Sequence, residues 1–209
     1  MRALELPNEV LSEKNRQEVL RAWIDGGMLS ISVCNRFPER YRDDHAQIWG
    51  MLLSDIFHHV VDAVVLETSR TRKDVRESLR HSLEEVVGSD RGTRCGALKI
   101  HSRCALQLPD PDVSGDDNCV EIVRIALLPD SIRVIVLVGM WLPDNEESVW
   151  GNILYDAAAM IASTFNPERD ADRVKADLLA DILHYIDHPS TKYSGEYYNT
   201  QPERRAKRR

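Results

Sequence analysis

No two cysteines in this 209-residue chain stand at the C-x-x-C spacing of a zinc ribbon or a thioredoxin-like redox motif. Cys34, Cys95, Cys104 and Cys119 are scattered and have no histidines at zinc-finger intervals, which sets aside a structural zinc site. Reduced thiols of a cytoplasmic protein are the expectation. Glycine and proline, at 10 and 9 residues, are neither abundant nor periodic, so collagen-like and low-complexity chains are excluded. The most apolar continuous stretch, Val134 to Leu142, is nine residues long, whereas a membrane-spanning helix needs about 20. The first residues, Met1-Arg2-Ala3-Leu4-Glu5, place an acid too early for a secretory or transit segment. There is no G-x-G-x-x-G or G-x-x-x-x-G-K phosphate loop and no G-x-S-x-G elbow. The expectation is therefore a cytoplasmic chain with no membrane insertion and no cofactor.

What is present is the make-up of an ordinary folded domain, with 43% hydrophobic and 29% charged residues and a net charge of −7. A chain of this size buries roughly 70% of its unfolded surface and needs no disulfide to hold a core. The charge is uneven: 203–209 hold five basic residues and one acid, leaving 22 basic against 33 acidic, or −11, for the rest. An acidic body repels nucleic acid, so phosphate contact would fall to the tail residues Arg204, Arg205, Lys207, Arg208 and Arg209.

The chain also repeats itself. Leu4-Glu5-Leu6-Pro7 is answered by Leu106-Gln107-Leu108-Pro109, and Glu18-Val19-Leu20-Arg21 by Glu121-Ile122-Val123-Arg124. Trp49-Gly50-Met51-Leu52-Leu53-Ser54-Asp55 meets Trp150-Gly151-Asn152-Ile153-Leu154-Tyr155-Asp156 at an offset of 101. Val75, Leu79, Leu83 and Val86 then match Val174, Leu178, Ile182 and Tyr185 at an offset of 99. This divides the chain into a first repeat at 1–87, a connector at 88–105, a second repeat at 106–188 and a polar, basic tail at 189–209.

Each repeat reads as two strands and two helices. An apolar segment enters a turn, Asp25-Gly26-Gly27 or Pro129-Asp130-Ser131, and leaves through a β-branched run. The run from Val134 to Val138 is apolar on both faces, which predicts a more central place for it than for the alternating Leu29 to Val33. Asp43-Asp44 and Asp144-Asn145, with Gln47 and Glu147 three residues inside, predict capping boxes that open a long helix. Second helices start at Thr71 and Asp170. The fold class is α+β: two ββαα repeats sharing a mainly antiparallel sheet of at least four strands, with the helices on one face and a pseudo-twofold axis between repeats. Leu98 to Leu108 would add an edge strand.

Polar residues shared by both copies need a reason, since packing does not require them. Arg21 is expected to pair with Asp55, and Arg124 with Asp156, tying strand to helix, because a buried charge is kept only when partnered. Trp49 and Trp150 with their glycines read as anchors where the helix start nears the sheet.

Three constellations bear on chemistry. Asp55, His58, His59 and Asp62 lie within two turns of helix at spacings that can hold a metal, although the second copy retains only the acid. Arg72, Arg76 and Arg80 form a helical stripe, with interleaved acids, that could hold an anion. Tyr193, Tyr197 and Tyr198 precede the basic tail and could stack on bases or dock on the body.

The pattern Glu-x-x-Arg, hairpin, Trp-Gly-x-x-Leu-x-Asp resembles the domain of unknown function 5076 family of small bacterial proteins, each about one such unit long. The resemblance covers both repeats and implies a cytoplasmic bacterial protein; it carries no activity or site residue. The chain departs from the family in being a tandem and in lacking a Gly-Gly turn in its second repeat. If single units pair as dimers, this chain is a pseudo-dimer within one polypeptide. With no catalytic set present in both copies, the expected function is a non-enzymatic interaction module with a protein partner. A metal-binding protein or metal-dependent enzyme using Asp55, His58, His59 and Asp62, and a nucleic-acid accessory acting weakly through the tail, are the alternatives.

Overall fold

The computed structural model describes residues 4–5, 8–12, 16–25, 27–34, 45–89, 95–101, 119–142, 145–165, 170–189 and 193–199. In chain order the elements are α1 (Asn8–Ser12), β1 (Gln17–Asp25), β2 (Met28–Cys34), α2 (His45–Glu67), α3 (Arg72–Gly88), β3 (Cys95–His101), β4 (Val120–Leu127), β5 (Ile132–Val138), α4 (Glu146–Ala162), α5 (Ala171–Asp187) and β6 (Tyr193–Asn199).

The strands form one six-stranded sheet in the order β3-β2-β1-β4-β5-β6. The inner four are antiparallel, β1 against β2, β1 against β4, and β4 against β5. β3 and β6 run parallel to β2 and β5 at the two edges. The order is the same read from either edge, and Arg21 lies opposite Arg124 in the central pair, which places the pseudo-twofold axis there. The ββαα repeats and the α+β class stand. The edge strand expected over Leu98 to Leu108 is found as β3, earlier, at Cys95–His101 within the connector, and the structure adds its counterpart β6 within the tail, so Tyr193, Tyr197 and Tyr198 belong to a strand.

Both hairpins close where the turn residues place them. Asp25 pairs with Met28 around Gly27, whose φ of 82° suits glycine, and Leu127 pairs with Ile132. The greater centrality expected of Val134 to Val138 is not found, because β5 and β2 occupy equivalent places, each second from an edge. Its apolar second face has another cause: Ile135 and Leu137 pack with Ala126 and Leu4 on the sheet surface away from the main helices.

The main core lies between the other sheet face and α2, α3, α4 and α5. α3 starts at Thr71, whose side chain accepts from the Asp74 N–H, and α5 at Asp170, which accepts from Asp172 and Arg173 N–H. The capping box expected at α4 is not made by Asn145, and Asp144 falls outside the described residues. Glu146 reaches back to the turn after β5. Asp43 and Asp44 fall outside the described residues. α2 is long and apolar enough to cross a membrane, at a mean hydropathy of 1.4, but 78% of that stretch is buried in the fold.

The helices interlock across the repeats. α2 of the first repeat packs chiefly on α5 of the second, α4 on α3, and each long helix covers the other repeat's outgoing strand. The Trp-Gly pairs mark these crossings. A Cβ at Gly50 would stand 2.5 Å from Asp181 Cβ, and one at Gly151 would stand 2.9 Å from Leu83 N and Ser82 C. These glycines therefore let two helix backbones approach, correcting the expectation that they face the sheet.

Candidate functional site

The repeated Glu-x-x-Arg lies on the outer face of the central strand pair. In a regular strand, residues three apart point to opposite faces. Here the ladder shifts between Glu18 and Leu20 and again between Ala22 and Trp23, where Ile122 is the extra residue on β4. Val19 and Ile122 are thus bulge residues, each carrying its strand one position forward so that glutamate and arginine share a face. Both turn toward the helix-side core.

Across the axis the pairs are reciprocal. Arg21 donates to Glu121 through Nε at 2.6 Å and Nη2 at 2.9 Å, with both side chains almost fully buried. Arg124 pairs with Glu18. Leu4 is held by both pairs, its N–H donating to Glu121 Oε2 and its carbonyl accepting from Arg124 Nη1, each at 2.8 Å. The Arg21 guanidinium also lies 5.1 Å from the centre of the Trp23 ring. The expected Arg21–Asp55 and Arg124–Asp156 pairs are thereby corrected. The arginines sit on the outer face, whereas Asp55 and Asp156 lie on α2 and α4 on the opposite side.

Asp55 and Asp156 are both buried. Asp156 lines a cleft of about 390 Å³ whose walls come from both repeats: Ile24 and Leu29 from the β1–β2 hairpin, Trp141 before α4, and Asn152 and Ile153 on α4. Met28, at the hairpin turn beside the lining residue Gly27, is half exposed. Sequence reasoning named Asp156 but not the cleft, because the hairpin that closes it lies more than a hundred residues away.

Glu146 is a further buried acid that sequence reasoning missed. Its carboxylate accepts from Gly139 N–H at 2.9 Å, Trp141 N–H at 2.8 Å and Trp150 Nε1–H at 3.1 Å. Burial pushes its ionisation above the ordinary carboxylate range, outweighing these three donors. It fastens the turn after β5 to α4 and so fixes the wall that carries Trp141. The signal available was its i, i+4 spacing to Trp150.

Asp55, His58, His59 and Asp62 follow one helix without converging. His58 is buried, with Nε2 3.4 Å from the Tyr185 carbonyl, and burial holds its ionisation below the ordinary histidine range. Asp62 pairs with Arg72. Among the described residues, no group of three His, Cys, Asp or Glu side chains is placed to hold a metal ion.

The arginine stripe is engaged within the molecule. Arg72 goes to Asp62, Arg76 to Asp187 at 2.7 Å and to the Ile186 carbonyl at 3.1 Å, and Arg80 to Asp187 at 2.6 and 2.7 Å and to Glu84 at 2.8 Å. Asp187 is held below the ordinary carboxylate range, first by Arg80 and also by Arg76. These arginines staple α3 to the end of α5. Arg204, Arg205, Lys207, Arg208 and Arg209 lie outside the described residues, as does Cys104.

Compared with known proteins, the chain matches one family model, Domain of unknown function (DUF5076), twice, over residues 3–90 and 105–192. No curated protein and no solved structure gives a match.

Proposed function

The chain belongs to the domain of unknown function 5076 family, carrying the unit in tandem, and from that premise we propose that it is a non-enzymatic, cytosolic interaction module. The observation that carries this reading is the cleft at Asp156. Its walls come from both repeats, its lining mixes apolar and polar surface, it holds a buried acid, and Met28 stands exposed beside it. Such a cleft suits a partner segment that inserts an apolar side chain beside a basic one. Two groups whose ionisation burial shifts are held by contacts within the fold. Glu146 is tied to three donors around the turn after β5, and His58 faces the Tyr185 carbonyl on the opposite repeat's helix.

The test is affinity capture of the tagged full chain from its native cytosol, with and without nuclease, alongside Met28→Asp and a deletion of 203–209. A protein partner that survives nuclease and the deletion, and is lost with Met28→Asp, is the expected result. Capture that requires both nucleic acid and the tail would overturn it, as would turnover of a defined substrate by the partner-free monomer.

A further inference from the structure

The end of α5 meets α3 through side chains, Asp187 against Arg76 and Arg80, and the pseudo-twofold gives that contact an equivalent between the end of α3 and the first turns of α5. At one end Arg76 and Arg80 of α3 grip the carboxylate of Asp187, the last residue of α5. At the other end the repeat offset of 99 places Lys175 where Arg76 stands, Leu179 where Arg80 stands, and Gly88, the last residue of α3, where Asp187 stands. One cation is retained there, the second has become an apolar side chain, and the carboxylate is gone. The space is a groove of about 380 Å³ lined by Val87, Tyr155, Lys175, Leu179 and Leu183.

We infer that this open end binds a small organic carboxylate with an apolar body, its carboxylate on the Lys175 ammonium and its carbons along Leu179, Leu183 and Val87. The closed end supplies the template, since there the same place holds a carboxylate from the chain itself. The change of Arg80 to Leu179 replaces a second charge contact with apolar wall, which selects a ligand of one charge and a hydrocarbon body over a dicarboxylate or a phosphate. The groove volume lies in the range of small-molecule sites. Lys175 Nζ rests 3.1 Å from Asp172 and 5.9 Å from the centre of the Tyr155 ring. The Asp172 partner is highly exposed, and an i, i+3 pair of that kind exchanges readily for a better-placed carboxylate. This inference rests on the helix ends alone and stands apart from the cleft at Asp156.

Octanoate, octanol and octylamine serve as probes in a titration of the isotope-labelled full chain followed by amide NMR shifts. Octanoate is expected to move resonances of 83–89 and 175–183 with a Kd on the order of 1 mM or tighter, and octanol and octylamine to bind about tenfold more weakly or not at all. Lys175→Gln, a change at a partly exposed position, should weaken octanoate about tenfold. Gly88→Asp should abolish binding by supplying the carboxylate from the chain, as at the closed end. A Cβ at Gly88 meets nothing within 4 Å, so this variant is expected to fold. Octanol binding as well as octanoate, shifts confined to other residues, or octanoate affinity unchanged in both variants would each overturn the inference.

Discussion

The seam between β1 and β4 and the two equivalent junctions of α3 with α5 have fared differently since the repeat was duplicated. At the seam each copy's glutamate is the partner of the other copy's arginine, Arg21 with Glu121 and Arg124 with Glu18. Neither copy can change there alone without stranding a buried charge. At the helix ends the copies have separated: Arg76, Arg80 and Asp187 close one end, while Lys175, Leu179 and Gly88 leave the other open. Those ion-paired side chains are about a third exposed, so little stability depends on them. Where the repeats face each other in the core they are locked together, and where they meet water they are free to differ.

The largest effect should come from breaking the lock. Glu121→Ala leaves the Arg21 guanidinium buried without its carboxylate and should cost about 3–5 kcal/mol, read from urea unfolding. Glu18→Ala should cost less, because Arg124 reaches some solvent and keeps the Leu4 carbonyl. Equal losses would contradict the unequal burial of the two pairs. Next comes the helix crossing: Gly151→Ala pushes a Cβ against the backbone of Ser82 and Leu83, with an expected loss of about 1–3 kcal/mol. At the divergent ends, Asp187→Asn should lose no more than about 1 kcal/mol, and that loss should fade in high salt. A larger loss would mean that the closed end is as structural as the seam.

The smallest effect is a slope. His58, whose counterpart in the second repeat is Ala159, has its ionisation lowered by burial. The unfolded chain therefore takes up its proton first, so the stability contribution is present above pH about 6.5 and is lost as the pH falls below it. His58→Gln should flatten the decline of the urea midpoint between pH 7.5 and 5.5, whereas Ala159→His should steepen it.

Much of this was legible in the chain. Helix starts at Thr71 and Asp170 follow from local chemistry that a sequence carries openly, and the duplication revealed the two-unit plan. Other features needed neighbours that lie far along the chain. β6, Tyr193–Asn199, has no run of apolar side chains and is a strand because its backbone pairs with β5. The arginine partners were misassigned because residues three apart share a strand face only across a bulge, and neither Val19 nor Ile122 announces one. The glycines after Trp49 and Trp150 were recognised as marking a close approach, but what they approach is set by the interlock of the repeats. The cleft at Asp156 was invisible for the same reason.

The interlock also bears on how the chain is made. β1 has β4 as its central partner, and α2 seats on α5, so the first repeat leaves the ribosome with a strand edge and an apolar helix face awaiting sequence not yet translated. Roughly a hundred residues separate β1 from β4, which at 5–20 residues per second amounts to roughly 5–20 s of exposure. Through that interval the nascent first repeat offers the surface that the second will cover, and another nascent copy presents the same surface to it.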